Sequence, residues 1–195
     1  RQQIIFDNKN LTIINDSKST SFASSENILK ISSKLKLNNT KLIETLNNFR
    51  GLKYRQQIIF DNKNLTIIND SKSTSFASSE SILKNFNDIY WILGGIPKKG
   101  DKFKLSKKKC RNFKVFTFGN YHKQFNRILR NKIKIKRFKN LKETLKKVFL
   151  EIKKQKVKKN TIFFSPAGAS FDSFKNFEDR GKYFNQLIKK FINAN

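Results

Sequence analysis

The chain has 195 residues with 43 Lys+Arg against 14 Asp+Glu, a formal net charge of +29, one Cys, one His, two Pro and no Met. A hydrophobic share of 37% supports a packed core and argues against wholesale disorder. One Cys excludes an intramolecular disulfide framework and a Cys-rich zinc site, and no apolar run approaches the ~18 residues of a membrane span. A reducing, cytoplasmic setting is the default. The chain opens Arg1-Gln2-Gln3 without Met, so it is expected to be part of a longer protein.

Residues 1–30 and 55–84 are copies at an offset of 54, differing only at Asn27 and Ser81. Each reads as strand, turn, strand, polar loop and helix. In the second copy, Gln56–Phe60 and Leu65–Asn69 are β-rich and flank the turn cluster Asp61-Asn62-Lys63-Asn64. The polar run Asn69–Ser75 precedes a helix to about Lys84, with Phe76, Ala77, Ile82 and Leu83 as candidate buried positions. One fold has one place for this unit. The second copy reaches the next strand through about four residues and the first through about 58, an entropic preference of roughly 2 kcal/mol for the second. The second copy is therefore expected in the sheet, with residues 1–30 peripheral, alternative or swapped between chains.

Between the copies, 27–35 and 39–49 look helical, the latter with Leu42, Ile43, Leu46 and Phe49 at helical spacing before Gly51. Beyond them, Ile89–Leu93 is an apolar run ending in Gly94-Gly95, and 96–112 reads as a Lys-rich loop. Lys114–Phe118 is a strand, 121–130 a short helix, and Lys132–Phe138 an alternating strand. Residues 140–154 form a helix with Asn140 as N-cap and Glu143 closing the box. Its apolar face is Leu141, Leu145, Val148, Phe149 and Ile152. Thr161–Phe164 is a buried-type strand, and a last helix over about 176–192 carries Phe184, Leu187, Ile188 and Phe191.

Strands alternating with helices predict an α/β, doubly wound, mainly parallel Rossmann-like sheet of about six strands, with the extra N-terminal copy appended. Ligands of such sheets bind beyond the strand C-termini. The chemically unusual loops fall there: Asn69–Thr74, Gly94–Gly100 and Ser165–Phe177.

These loops resemble the C-terminal domain of the Mur ligases, in particular the D-glutamate-adding branch of that family. The residues carrying the resemblance are Gly51-Leu52-Lys53-Tyr54-Arg55, Asn69-Asp70-Ser71-Lys72-Ser73-Thr74, Leu93-Gly94-Gly95 with Lys98, and the run from Ser165 to Gly181. The resemblance covers about 55–195, makes 31–54 a helical remnant of the family's central domain, and gives 1–30 no place. It implies ATP-dependent amide-bond formation between UDP-N-acetylmuramoyl-L-alanine and D-glutamate, assisted by Mg²⁺, in peptidoglycan synthesis. By motif position, Arg55 would contact nucleotide phosphates and Asp70 the ribose. Lys72, Thr74, Lys98, Ser170, Phe171 and Phe177 would form the substrate pocket. Cations and donors suit a dicarboxylate, and an Arg fork suits a phosphate.

Bland alternatives stand beside each role. Lys98 could be one more solvated Lys, Asp70 and Thr74 could cap the following helix, and Ser170–Phe177 could be a structural turn. Lys175 and Arg180 are read as packing or surface ion pairs, His122 as a surface residue, and Cys110 as an unreactive thiol. Two positions depart from the family pattern: Ile96 stands where an acidic residue is frequent, and Gly168 where a Cys is frequent. The chain also contains no G-x-x-x-x-G-K-[ST] or shorter Gly-Lys-Thr loop, so the fragment by itself is expected to be inactive, with ATP and Mg²⁺ held mainly by other domains.

The charge offers a second reading, a basic nucleic-acid-binding α/β domain. It is weakened by the supply of cations, 35 Lys to only 8 Arg, in a chain that is also rich in Asn, Ile and Phe. AT-rich coding yields that mixture without selection for a polyanion.

Overall fold

The computed structural model describes residues 3–8, 11–15, 38, 40–41, 51–155 and 159–193. The chain divides into two compact units, Arg1–Arg50 and Gly51–Asn195. In the first unit, β1 (Gln3–Asn8) and β2 (Leu11–Asn15) pair antiparallel as a two-stranded sheet. Asn38 accepts from the amides of Thr40 (3.0 Å) and Lys41 (3.2 Å), an N-cap at the start of a helical turn. The helix expected over 27–35 and the face Leu42, Ile43, Leu46 and Phe49 lie outside the described residues.

The second unit is a six-stranded sheet in the order β3-β4-β9-β5-β7-β8. The strands are β3 (Gln57–Asp61), β4 (Leu65–Asn69), β5 (Asp88–Gly94), β7 (Asn112–Phe118), β8 (Ile135–Phe138) and β9 (Asn160–Phe164). Every pairing is parallel except that of β3 with β4. That hairpin turns on Asn62, whose Oδ1 accepts from the amides of Asn64 (2.9 Å) and Leu65 (2.8 Å). Thus the hairpin of the second copy lies in the main sheet, and the first copy's hairpin forms a sheet of its own.

Four helices complete this unit: α1 (Phe76–Leu83), α2 (His122–Leu129), α3 (Leu141–Lys153) and α4 (Phe177–Asn193). The strands alternate their side chains between two cores. One holds Ile68, Trp91, Leu93, Val115 and Phe163 against Phe76 and Leu83 of α1 and Phe125 and Leu129 of α2. The other holds Ile67, Tyr90, Ile92, Phe116 and Ile162 against Leu145 and Val148 of α3 and Phe184 and Ile188 of α4. Helices on both faces of a mainly parallel sheet make the doubly wound α/β arrangement expected from the strand–helix alternation. Asn140 caps α3 as read, its Oδ1 accepting from Glu143 N at 2.9 Å, while the Glu143 side chain reaches past the cap residue's amide to Lys139 N at 3.2 Å.

Three local readings shift. Ala77 is exposed, and Ser79 is buried in its place because its hydroxyl meets Ser165 Oγ at 2.7 Å. The strand expected from Lys132 starts only at Ile135, since the amides of Lys132 and Ile133 bond Leu129 O at 2.8 and 2.9 Å and close the preceding turn. Two short strands, β6 (Ile96–Pro97) and β10 (Gly168–Ala169), pair antiparallel within segments read as loops.

Candidate functional site

The parallel strands β4, β5 and β9 end together, and the three unusual loops leave from that rim. The loop after β4 is anchored by Asn69, whose Nδ2 donates to Gly181 O (3.0 Å) and Asn185 Oδ1 (2.7 Å) while its Oδ1 accepts from Ser71 N (3.0 Å). Ser71 Oγ donates to Phe177 O at 2.8 Å, which ties this loop to the first turn of α4. The loop after β9 is tied to both neighbours, because Asp70 N donates to Phe164 O (2.7 Å) and Gly94 N to Pro166 O (3.1 Å). Trp91 Nε1 donates to Ser165 O at 2.8 Å.

The fully buried Arg180 fastens these loops. Its Nε reaches Ser71 Oγ (3.1 Å), one terminal nitrogen reaches Gly168 O (2.9 Å), and the other reaches Ser71 O (2.7 Å). Burial pulls the guanidinium down to about 10, with Asp172 and then Asp70 opposing that shift, so it stays charged at neutral pH. The expectation of a packing or surface ion pair is corrected here. Arg180 is an internal clamp because α4 directs it under the loops, and only the tertiary contact with Ser71 and Gly168 reveals it.

The rim leaves no room for added side chains. Gly95 has φ +91°, and a Cβ there would stand 2.2 Å from Ala169 O. A Gly95→Ala change is expected to cost about 3 kcal/mol, read as a lower urea midpoint in equilibrium unfolding. Gly168 would place a Cβ 2.9 Å from Gly94 O and 3.0 Å from the carbonyl carbon of Gly95. This tight β6–β10 ladder is matched to a glycine.

The site residues named from motifs fall as follows. Asp70 is 6% exposed, and its carboxylate accepts from Ser165 Oγ (3.0 Å) and Gln56 N (3.2 Å). Burial raises its pKa to about 7, against the lowering effect of those bonds and of Arg55 and Arg180. Lys72 stands with its ammonium 3.8 Å from the centre of the Phe177 ring, an arrangement that holds the cation in place. Burial and the nearby Arg55 lower its pKa, and Glu178 opposes them. Arg55, Asp70, Lys72 and Phe177 are thus one neighbourhood. Thr74 is exposed, and the cap of α1 is Ser75, which accepts from Ser78 N; neither Asp70 nor Thr74 is the cap.

Ser170 is buried, with its carbonyl accepting from the amides of Ser173 (3.2 Å) and Phe174 (2.9 Å). Phe171, by contrast, is 73% exposed, a large apolar side chain left in solvent at the rim. Lys98 is exposed at the end of β6. The ladder Gly168↔Pro97 and Ala169↔Ile96 sends Lys98 and Ser170 out from its opposite ends. The motif reading gave no role to Asn69, Ser165 or Ser79, all fully buried. A polar cluster beside strand ends was the available signal.

His122 is half-buried rather than a plain surface residue, with Nδ1 sheltered from solvent and its pKa lowered by burial and by Arg137 and Lys123. Cys110 is buried with its thiol pushed up to about 11, in agreement with an unreactive role. Among the described residues no three His, Cys, Asp or Glu side chains gather as a metal site.

No family model matches the chain. Curated relatives do. A UDP-N-acetylmuramoylalanine--D-glutamate ligase of Wolbachia sp. subsp. Brugia malayi is 35% identical over 187 residues, which is 94% of this chain and 37% of the relative. Those of Petrotoga mobilis and Buchnera aphidicola subsp. Baizongia pistaciae are 37% and 36% identical, over 75% and 84% of this chain. The chain belongs to the Mur ligase family. It spans only 37%, 34% and 37% of the length of these three Mur ligases. The second unit of the chain is α/β with a mostly parallel six-stranded sheet. Among the described residues no helix is long and apolar enough to cross a membrane.

Proposed function

We propose that residues 55–195 form the C-terminal, substrate-binding domain of an ATP-dependent ligase that joins D-glutamate to UDP-N-acetylmuramoyl-L-alanine in the cytoplasm. Residues 31–54 are the end of its central domain and 1–30 are a spare copy. The carrying observation is the grouping of Arg55, Asp70, Lys72 and Phe177 on a rim clamped by Arg180, in a chain similar to curated D-glutamate ligases.

This chain's share of the reaction is binding and orientation. Arg55 takes nucleotide phosphates. Asp70 accepts from the ribose through lone pairs not used by Ser165 and Gln56. Lys72, held on the Phe177 ring, and Lys98 meet carboxylates, while Thr74 and Ser170 supply hydroxyls. Phe171 and Phe177 shield the site. ATP supplies the activated phosphoryl group, and Mg²⁺ sits with groups other than those described here.

A chimera tests this reading, with residues 51–195 replacing the matching part of the Wolbachia relative. It is expected to form ADP only when both D-glutamate and UDP-N-acetylmuramoyl-L-alanine are present. Lys72→Ala or Ser170→Ala in the chimera is expected to lower kcat/KM for D-glutamate by about 10- to 100-fold, the scale of one lost charge-assisted or buried hydrogen bond. Equal use of L- and D-glutamate, or unchanged kinetics in both variants, contradicts the assignment.

A further inference from the structure

The candidate ligase rim uses the C-terminal ends of the parallel strands, and the opposite edge carries a separate concave feature. A cavity of about 610 Å³ opens where the chain enters β7 and just before β8. Lys107, Lys108, Arg111, Lys132 and Lys134 line it, and no carboxylate is among its lining residues. Its floor is apolar, formed by Cys110, Phe113 and Ile133, all buried.

Coding drift accounts for the number of lysines but not for their placement. Elsewhere cations meet carboxylates, with Lys136 2.7 Å from Glu151 and Lys159 2.8 Å from Asp61. Here five cationic residues line one cavity with an apolar floor and no lining carboxylate. Both walls are set by backbone bonds: Cys110 N to Ser106 O (3.2 Å) and Phe113 N to Cys110 O (3.0 Å) on one side, and Ile133 N to Leu129 O (2.9 Å) on the other. The Lys132 ammonium is itself fixed, donating to Phe103 O at 2.6 Å. The cavity is therefore formed before any ligand arrives, and its volume is within the range of small-molecule sites. Gathered cations repel one another, and a multiply charged anion relieves that repulsion. Phosphate oxygens match Lys and Arg donors best, and the apolar floor suits an organic portion.

We propose that this cavity binds the phosphate groups of a phosphate ester that carries an apolar portion. The same chemistry comes from a free phosphorylated molecule or from a phospholipid headgroup. The full chain is titrated at about 150 mM salt, where long-range attraction is screened. One arm uses inorganic tripolyphosphate in a calorimeter, and the other uses vesicles containing phosphatidylglycerol in a sedimentation assay. The variant Lys108→Glu/Arg111→Glu/Lys134→Glu is compared with Lys142→Glu/Lys146→Glu/Lys190→Glu, which makes the same change in net charge at exposed positions elsewhere.

The cavity variant is expected to bind at least about tenfold more weakly and the control less than about twofold more weakly. Lys134→Glu alone, at one exposed side chain, is expected to give about a threefold loss and serves if the triple variant folds poorly. Loss confined to the tripolyphosphate arm assigns the site to free phosphate esters, and loss confined to vesicles assigns it to headgroups. Equal weakening by both triple variants, or binding of neither probe, overturns the proposal.

Discussion

Replacing Arg180 by Ala is expected to lower the unfolding free energy by on the order of 4 kcal/mol, a large part of the 5–15 kcal/mol typical of a domain. Three acceptors lose a charged donor at once: Ser71 Oγ, Ser71 O and Gly168 O. Each orphaned buried acceptor costs about 1–3 kcal/mol, and the guanidinium leaves a void under the loops. Urea unfolding followed by tryptophan fluorescence measures this directly, because Trp91 is bonded to Ser165 in the same loop system. Arg180→Lys is expected to recover only part of the loss, since one ammonium cannot span the fork between Ser71 and Gly168. A loss below about 1 kcal/mol in Arg180→Ala would show that the loops hold without the clamp. Because the clamp sits under the substrate loops, the same variant in the chimera is expected to raise KM for D-glutamate as well.

The second large effect is a pH dependence centred on Asp70. Its carboxyl is raised from 3.8 to about 7, chiefly by burial. The folded chain therefore holds a proton at Asp70 over a range in which the unfolded chain has released it. Stability contributed by the protonated form is fully present below about pH 4 and is lost as pH rises from about 4 to about 7. The loss flattens above about 7 and reaches on the order of 4 kcal/mol from this group alone. Asp70→Asn removes the titration, and its amide can still accept from Gln56 N and meet Ser165 Oγ. The variant is expected to unfold at a higher urea concentration than the parent at pH 8 and at nearly the same concentration at pH 4, below most of the titration. A parallel shift at both pH values contradicts a titrating Asp70. In the chimera the same change is expected to weaken ATP binding, which separates a ribose contact from a purely structural carboxylate.

Much of this architecture was legible from local pattern. The Asn140 cap, the α3 face from Leu141 to Phe149 and the α4 face from Phe184 to Ile188 follow from local pattern, because one element decides each of them. The rim was legible through its loops, since Asn69–Thr74 and Ser165–Ser170 leave neighbouring strand ends. What escaped the sequence was pairing over long separations. Arg180 lies 109 residues from Ser71, and nothing in Asp179-Arg180-Gly181 marks the side chain as buried. Ser79 and Ser165, 86 residues apart, have the composition of solvent-exposed loop and helix residues until their hydroxyls meet. The short β6–β10 ladder escaped for the same reason, as two residues on each side carry no periodicity.

The sequence by itself determined the class of this protein: alternating strands and helices, strand-end loops of unusual chemistry and the family those loops resemble. It also determined the identity of the two copies and, through the shorter connection to the next strand, which one is favoured in the sheet. Tertiary structure decided that Leu65–Asn69 lies in register beside β9, that Asp70 turns inward to Ser165, and that Lys72 stands on the Phe177 ring. Composition fixes how many cations a chain carries. Only the fold decides which of them converge, because proximity between distant residues is set by the packing of the sheet and its helices rather than by any local preference.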